Sequence, residues 1–328
     1  MSDFAPLLEQ VRARGLLRTR RLRYAGLMAV DVFALALVWG AVYALGRTWW
    51  ALFLALPAAV FTTRLVFIGH DVGHGQISRS SRTNDVLGWV FGDFLSGMGS
   101  AWWIDKHTRH HANPNHVEKD PDVEPGALIW TTAQAADRTS RIGRWAARHQ
   151  AQLYFPLVLF EALNLKATSF RAVRNARDLA LLVAHLVVYL GGLVLVLGPG
   201  RTAVFVAIHQ ALVGLHLGIA FAPNHKGMDM PGPDSTQDFV RRQVLTSRNV
   251  QGHRSVDWFL GGLNYQIEHH LFPSMARPHL RQAQGLVRAH CDGLGLPYAS
   301  ENLLASMAIT VRQMHSVGAD LRAARAVL

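Results

Sequence analysis

The chain has 328 residues, 50% of them apolar and only 17% charged, against about 25% charged in an ordinary soluble domain. One cysteine, Cys291, excludes a disulfide scaffold, a zinc ribbon and any cysteine-held iron–sulfur cluster. The net charge of +11 would suit nucleic acid or an anionic surface, and 17 histidines put metal chemistry in view.

Residues 1–23 carry six arginines and lack the apolar core of a signal peptide. Then come Tyr24–Leu45, with Asp31 as its one charge, and Trp49–Ile68, with Arg64 as its one charge. Leu179–Leu197 and Thr202–Ala222 have none. Each run is 19–22 residues, the length that crosses a hydrocarbon core of ~30 Å. The expected fold is therefore an all-α integral membrane protein with four transmembrane helices in two hairpins. Asp31 is expected to face another helix, and Arg64 to snorkel toward the surface. Segments 1–23, 69–178 and 223–328 hold 6, 13 and 11 of the 33 basic residues. By the positive-inside rule all three are cytoplasmic, so the basicity needs no nucleic acid to explain it. The expected division is a basic N-terminus (1–23), hairpin one (24–68), a cytoplasmic and interfacial region (69–178), hairpin two (179–222) and a cytoplasmic C-terminal region (223–328).

Val86–Met98 is apolar but too short to span, and is expected to lie in the interface or re-enter. Gln152–Lys166 and Leu303–Val327 pattern as amphipathic helices, and Pro231–Pro233 marks a loop. His185, His209 and His216 fall inside spans, where interhelical hydrogen bonding is the main expectation and a haem or substrate role the alternative.

Three histidine clusters carry the chemistry: His70 and His74 in HDVGH, His107, His110 and His111 in HTRHH, and His269 and His270 after Gln266 in QIEHH. Positions i, i+3 and i+4 share one helix face, so each box aims its imidazoles at one point. Imidazole suits iron, zinc, copper and nickel, so ligand type alone does not select the metal. Seven imidazoles exceed one tetrahedral site and call for two ions. The boxes and His225 lie at the cytoplasmic ends of spans or in cytoplasmic segments, so a helical cap holding a di-metal site is expected at the membrane surface. Such a site reaches a molecule with its head in water and its tail in hydrocarbon.

The sequence here resembles the membrane fatty acid desaturases and their hydroxylase relatives. The resemblance covers most of residues 24–290 and rests on HDVGHG, on HTRHHANPNH followed by Asp120 and Asp122, and on DWFLGGLNYQIEHHLFP at 257–273. The third box, opening with Gln, is similar to the acyl-lipid and front-end branch. The resemblance implies two irons held by His70, His74, His107, His110, His111, His269 and His270, with His225 as a further ligand. Gln266 is either a weak amide ligand or a neighbour of the ligands. Asp71, Asn113, His116, Asp120, Asp122 and Glu268 are expected around the ligands, bracing them. Trp102, Trp103 and Trp258 are expected along an acyl tunnel or in an interfacial belt.

The implied reaction is O2-dependent cis desaturation of a long-chain acyl group on coenzyme A, a carrier protein or a membrane lipid. No amino-acid acid or base removes hydrogen from an unactivated methylene, so the oxidant must be metal-borne. No dinucleotide fingerprint and no His-Pro-Gly-Gly haem motif occurs, so no bound NAD, flavin or haem is expected. Electrons are expected from a separate ferredoxin, reductase or cytochrome. A hydroxylase is the nearest alternative. A metal transporter or haem-binding membrane protein fits less well, since transporters place ligands near the bilayer midplane. The Ala-, Arg- and Leu-rich composition suggests a bacterial plasma membrane.

Overall fold

In hydrocarbon every backbone polar group needs an internal partner, so an apolar run of span length folds as a helix. The structure, a computed structural model, describes residues 2–326, and its four long apolar helices are Arg21–Leu45, Trp49–Gly73, Ala176–Leu197 and Pro199–His225. Each overlaps an expected span. All four run three or more residues beyond the apolar stretch, because helical hydrogen bonding does not stop where the hydrophobicity does.

After a short helix α1 (Phe4–Ala13), the first hairpin pairs α2 (Arg21–Leu45) with α3 (Ala55–Gly73), the latter entered through a 3₁₀ turn at Trp49–Leu54. The helices α4 (Ser81–Gly88) and α5 (Ser100–Ala112) follow, separated by a π-helical segment Trp89–Ser96 that ends on Gly97 at φ 66°. The expected short apolar element thus becomes a helix packed on α3 rather than a span. Short helices α6 (Thr132–Ala136) and α7 (Arg141–Arg148) lead to α8 (Gln150–Val158) and α9 (Glu161–Arg171). The single amphipathic helix expected at 152–166 is therefore two, with Pro156 near the end of the first.

The third span is α10 (Ala176–Leu186) continued through a π-helical Val187–Gly191 into α11 (Gly192–Leu197). Gly198, at φ 76°, ends it, and Pro199 opens α12 (Pro199–His225). That is the usual asymmetry, glycine just past one helix and proline at the first turn of the next. The cap continues with α13 (Phe239–Leu245), β1 (Asn249–Gln251), α14 (Arg254–Phe259), α15 (Gln266–Leu271), α16 (Arg277–Gly293), β2 (Ser300–Asn302), α17 (Leu303–Val317) and α18 (Ala319–Ala326). Strands β1 and β2 form a parallel pair, Asn249 opposite Ser300. The helix expected at Leu303–Val327 is broken at Gly318, and Val327 lies outside the described residues.

Helix α3 is the centre of the spans, packed between α2 and α12. Gly214 brings α12 against the turn between α8 and α9; a Cβ there would sit 2.5 Å from the Val158 carbonyl oxygen. Outward-facing apolar side chains such as Phe33, Val187 and Leu195 stay exposed, which is unfavourable in water and fits a lipid-facing surface.

Asp31 does face another helix, but Arg64 does not snorkel. Its Nε and Nη2 donate to Asp31 Oδ1 and Oδ2 at 2.6 and 3.0 Å, its Nη1 donates to the Trp258 carbonyl, and its guanidinium lies 4.3 Å over the Trp258 ring. A carboxylate one helix away is a better partner for a buried guanidinium than a distant surface. The intramembrane histidines make interhelical bonds: His209 to Tyr189 Oη (2.7 Å) and Thr62 Oγ1 (3.2 Å), His216 to the Phe259 carbonyl (2.7 Å) and His185 to the Phe94 carbonyl (2.8 Å).

Candidate metal centre

Four elements bring eight imidazoles into one buried layer. Helix α3 delivers His70 in its last turn and His74 just past it. Helix α5 delivers His107, His110 and His111 on one face. The last turn of α12 supplies His225, and α15 supplies His269 and His270. Helix periodicity explains each box; only the tertiary fold brings the boxes together.

The layer has two parts. Ring nitrogens of His70, His74, His107 and His269 lie within 4.8 Å of one another, as do those of His110, His225 and His270. His111 stands between the parts, its ring centroid 4.5 Å from that of His74, 4.7 Å from His269 and 4.1 Å from His270. Its Nε2 is 3.1 Å from Nε2 of His107.

The hydrogen bonds sort the nitrogens. Nδ1 of His70 donates to Asp71 (3.2 Å), Nδ1 of His110 to Asp120 (2.9 Å), Nδ1 of His225 to the Thr246 carbonyl (2.9 Å) and Nδ1 of His270 to Gln243 Oε1 (3.0 Å). In each of these four rings the second nitrogen is left with a lone pair. Nε2 of His70, His74 and His270 and both nitrogens of His269 are buried without any hydrogen-bond partner. Buried polar atoms are rarely left so, and a cluster of orphaned imidazole nitrogens is what a metal site looks like without its ion. The donor set is all nitrogen, so the ligands themselves bring no negative charge. Asp71 and Asp120, behind the rings, supply it.

Burial first, and then the neighbouring imidazoles, hold His74, His107, His111, His269 and His270 well below the ordinary histidine value. These rings are neutral, as ligation demands. His110 differs: burial lowers it, but Asp120 and Asp122 together carry it above the usual range. In the metal-free protein the five depressed groups bind protons only on unfolding. Below the ordinary value of about 6.5 the unfolded chain holds more protons, so stability falls as pH falls, by up to about 1.4 kcal/mol per pH unit per histidine. His110, the one imidazole of the layer held above the ordinary value, opposes this only in part. A melting series of metal-free protein from pH 7 to pH 5 checks it: the melting temperature is expected to drop on acidification.

Of the residues expected around the box histidines, Asp71 and Asp120 hydrogen-bond to imidazole rings. Asp71 takes His70 and is itself held by Tyr24 Oη (2.9 Å) and Arg277 (2.6 Å). Asp120 also accepts from the backbone N–H of Asn115 and Asp122, which fills its oxygens. Asp120 and Asp122 thus stand on the outer side of the His110 ring, at its Nδ1, rather than adding to the two nitrogen groups. Asp120→Asn is expected to lower metal affinity or activity 10–100-fold, the usual effect of losing such a partner; a metal-binding titration beside an activity assay checks it. Glu268, by contrast, faces away from the rings and accepts from Asn249 (2.7 Å) and Tyr298 (2.6 Å), with burial pushing its carboxyl up. Nδ1 of His116 accepts only from the Glu118 N–H, and Asn113 serves through its backbone.

Gln266 lies inside the layer. Its amide nitrogen is 2.9 Å from Nε2 of His225, and its oxygen accepts from Asn224 (3.2 Å). The lone pair that His225 would give a metal is therefore taken by the Gln266 N–H, and a metal there would displace that bond.

Of the tryptophans, Trp103 stacks on His107 with centroids 4.3 Å apart, and a Cβ on Gly73 would meet its ring at 2.5 Å. Trp258 lies under Arg64, half exposed, and Trp102 is partly buried. A cavity of about 450 Å³ opens among the spans, lined by Leu35, Trp39, Leu65, Phe94 and Tyr189, with His209 as a polar member.

Three residues were not foreseen. Gln243 holds His270 and also donates to the His111 carbonyl (3.0 Å). Thr246 accepts from His225. Asn115, at φ 56°, donates through its side chain to the His225 carbonyl (2.9 Å). The NPN run next to the second box was the one local hint, since asparagine tolerates that left-handed conformation.

Against known families, the fatty acid desaturase profile matches residues 47–302. This chain belongs to the fatty acid desaturase family. It is 29% identical over 265 residues to the acyl-lipid (9-3)-desaturase of Physcomitrium patens, covering 76% of this chain and 50% of the relative. Fatty acid desaturase 3 of Bos taurus is 29% identical over 97% of this chain and 73% of its own length. The delta(6)-fatty-acid desaturase of Caenorhabditis elegans is 29% identical over 84% and 66%. The chain thus spans half the length of the moss relative and about three quarters of the bovine one. Membership of this family, with four helices long and apolar enough to cross a membrane, fits an oxidoreductase of lipid metabolism, and the family is generally iron-dependent.

Proposed function

We propose that this chain is an O2-dependent fatty acyl desaturase that introduces a cis double bond with two histidine-held irons. The observation that carries the reading is the layer of eight imidazoles, seven of them in two groups with His111 between, in which Nε2 of His70, His74, His269 and His270 is buried without a protein partner. His70, His74, His107 and His269 would hold one iron, and His110, His225 and His270 the other, with His111 between them. Iron bound there would supply the O2-derived oxidant that strips two hydrogens from adjacent methylenes, at the cost of two electrons and two protons and with release of two waters.

The remaining work belongs to the chain. Asp71, Asp120, Gln243 and the Thr246 carbonyl fix the proton on Nδ1 of their imidazoles and so orient the opposite nitrogen. The buried rings and Trp103 keep bulk water off the layer, and the cavity among the spans offers room for hydrocarbon. The acyl chain arrives on a membrane lipid or a thioester, as the names of the relatives support. Electrons come from a separate ferredoxin, reductase or cytochrome-type protein. The excess of Lys and Arg in segments 1–23, 69–178 and 223–328 supports a cytoplasmic layer and termini, in a bacterial plasma membrane.

The test is a fatty-acid profile of host membranes expressing the chain with a matched electron donor, beside His110→Ala, with double-bond positions mapped. A new unsaturated acid absent from the control supports the reading. A hydroxy acid in its place refutes it in favour of hydroxylation.

A further inference from the structure

Away from the metal layer, a pocket of about 1150 Å³ opens where the start of α2 meets α14, the residues before α15 and the first turns of α16. Seven arginines line it against one carboxylate, Asp257. Three are already committed: Arg64 to Asp31, Arg277 to Asp71 and Arg281 to Asp257. Arg20 donates to Nε2 of His279 (2.6 Å). Arg21, Arg23 and Arg254 are exposed and have no carboxylate partner among the described residues.

A general excess of positive charge on one membrane face would account for basic residues near α2. It does not account for their meeting in a concavity with Arg254, more than 200 residues away in sequence. Nor does it account for the apolar side of the pocket, where Leu22, Leu27 and Trp258 stand beside the guanidiniums. The start of a membrane-spanning helix forms one wall, so the pocket lies at headgroup depth. Converging guanidiniums match phosphate oxygens in a planar, bidentate way, and the neighbouring apolar surface matches what a lipid carries below its phosphate.

We propose that this pocket binds the phosphate of a membrane phospholipid, with Arg21, Arg23 and Arg254 as donors and Leu22, Leu27 and Trp258 against the glycerol and upper methylenes. Arg277 lines the same pocket and holds Asp71, the acceptor for His70. The lipid site therefore shares a wall with the bracing of the metal layer, although its occupant need not be the substrate.

The test uses the purified full chain in detergent and a short-chain, water-soluble phosphatidylglycerol, with bound lipid counted by native mass spectrometry. The combined variant Arg21→Gln, Arg23→Gln, Arg254→Gln is expected to weaken binding about a hundredfold. A control of equal charge change, Arg141→Gln, Arg144→Gln, Arg174→Gln, is expected to bind as the unaltered protein does. Arg254→Gln alone, on an exposed side chain, tests the same point if the combined variant folds poorly, with about a fivefold loss expected. Undiminished binding in the pocket variants overturns the proposal, and so does an equal loss in the control, which would reduce the effect to net charge. Inorganic phosphate binding as tightly as the lipid would mark a free-phosphate site and overturn the lipid assignment. None of these readouts depends on catalysis.

Discussion

His269→Ala is expected to abolish product formation, by at least a hundredfold, while the protein still folds and inserts. His269 is fully buried and neither ring nitrogen has a hydrogen-bond partner, so alanine breaks no internal bond. The cavity it leaves costs stability, but removing an unsatisfied buried polar ring offsets part of that, so the metal-free protein should change by no more than about 2 kcal/mol. The loss falls on metal binding, because His269 lies in the group with His70, His74 and His107. Iron per chain and the fatty-acid profile, measured on the same preparation, check it. Full turnover in the purified variant would remove His269 from the ligand set.

The largest effect on stability is expected at Arg64. Asp31 and Arg64 are 1% and 2% exposed, and the pair is bidentate. Arg64→Leu leaves the Asp31 carboxylate alone among the spans, and breaking a buried pair in this way costs about 3–5 kcal/mol. The double variant Asp31→Leu, Arg64→Leu removes both charges and is expected to melt above the single variant. Melting curves in detergent decide it. A double variant less stable than Arg64→Leu would mean that the Asp31 carboxylate is not left uncompensated when Arg64 is lost.

Much of the fold was legible because hydrocarbon imposes one rule on each segment separately. Apolar length with at most one charge suffices to find α2, α3 and α12, and the third span, without knowing what they touch. The box histidines were legible for a similar reason, since i, i+3 and i+4 spacing is local. What was not legible depends on partners far along the chain. Gln243 reaches the carbonyl of His111, 132 positions away, and no motif marks it. Arg64 was misread because snorkelling is the default for a lone intramembrane arginine, and its partner sits 33 residues earlier on another helix. Glu268 shares the third box yet faces Asn249 and Tyr298, because adjacent positions on a helix point in different directions.

The division of the imidazoles also bears on how the protein is made. Each group takes one member from the last box: His269 completes the set with His70, His74 and His107, and His270 the set with His110 and His225. A nascent chain that has not yet extended past α15 holds three imidazoles of one set and two of the other, although both hairpins are already synthesised. On the proposed assignment, iron loading follows membrane insertion rather than guiding it. A ribosome stalled before Gln266 would leave a chain with all four spans and no complete site.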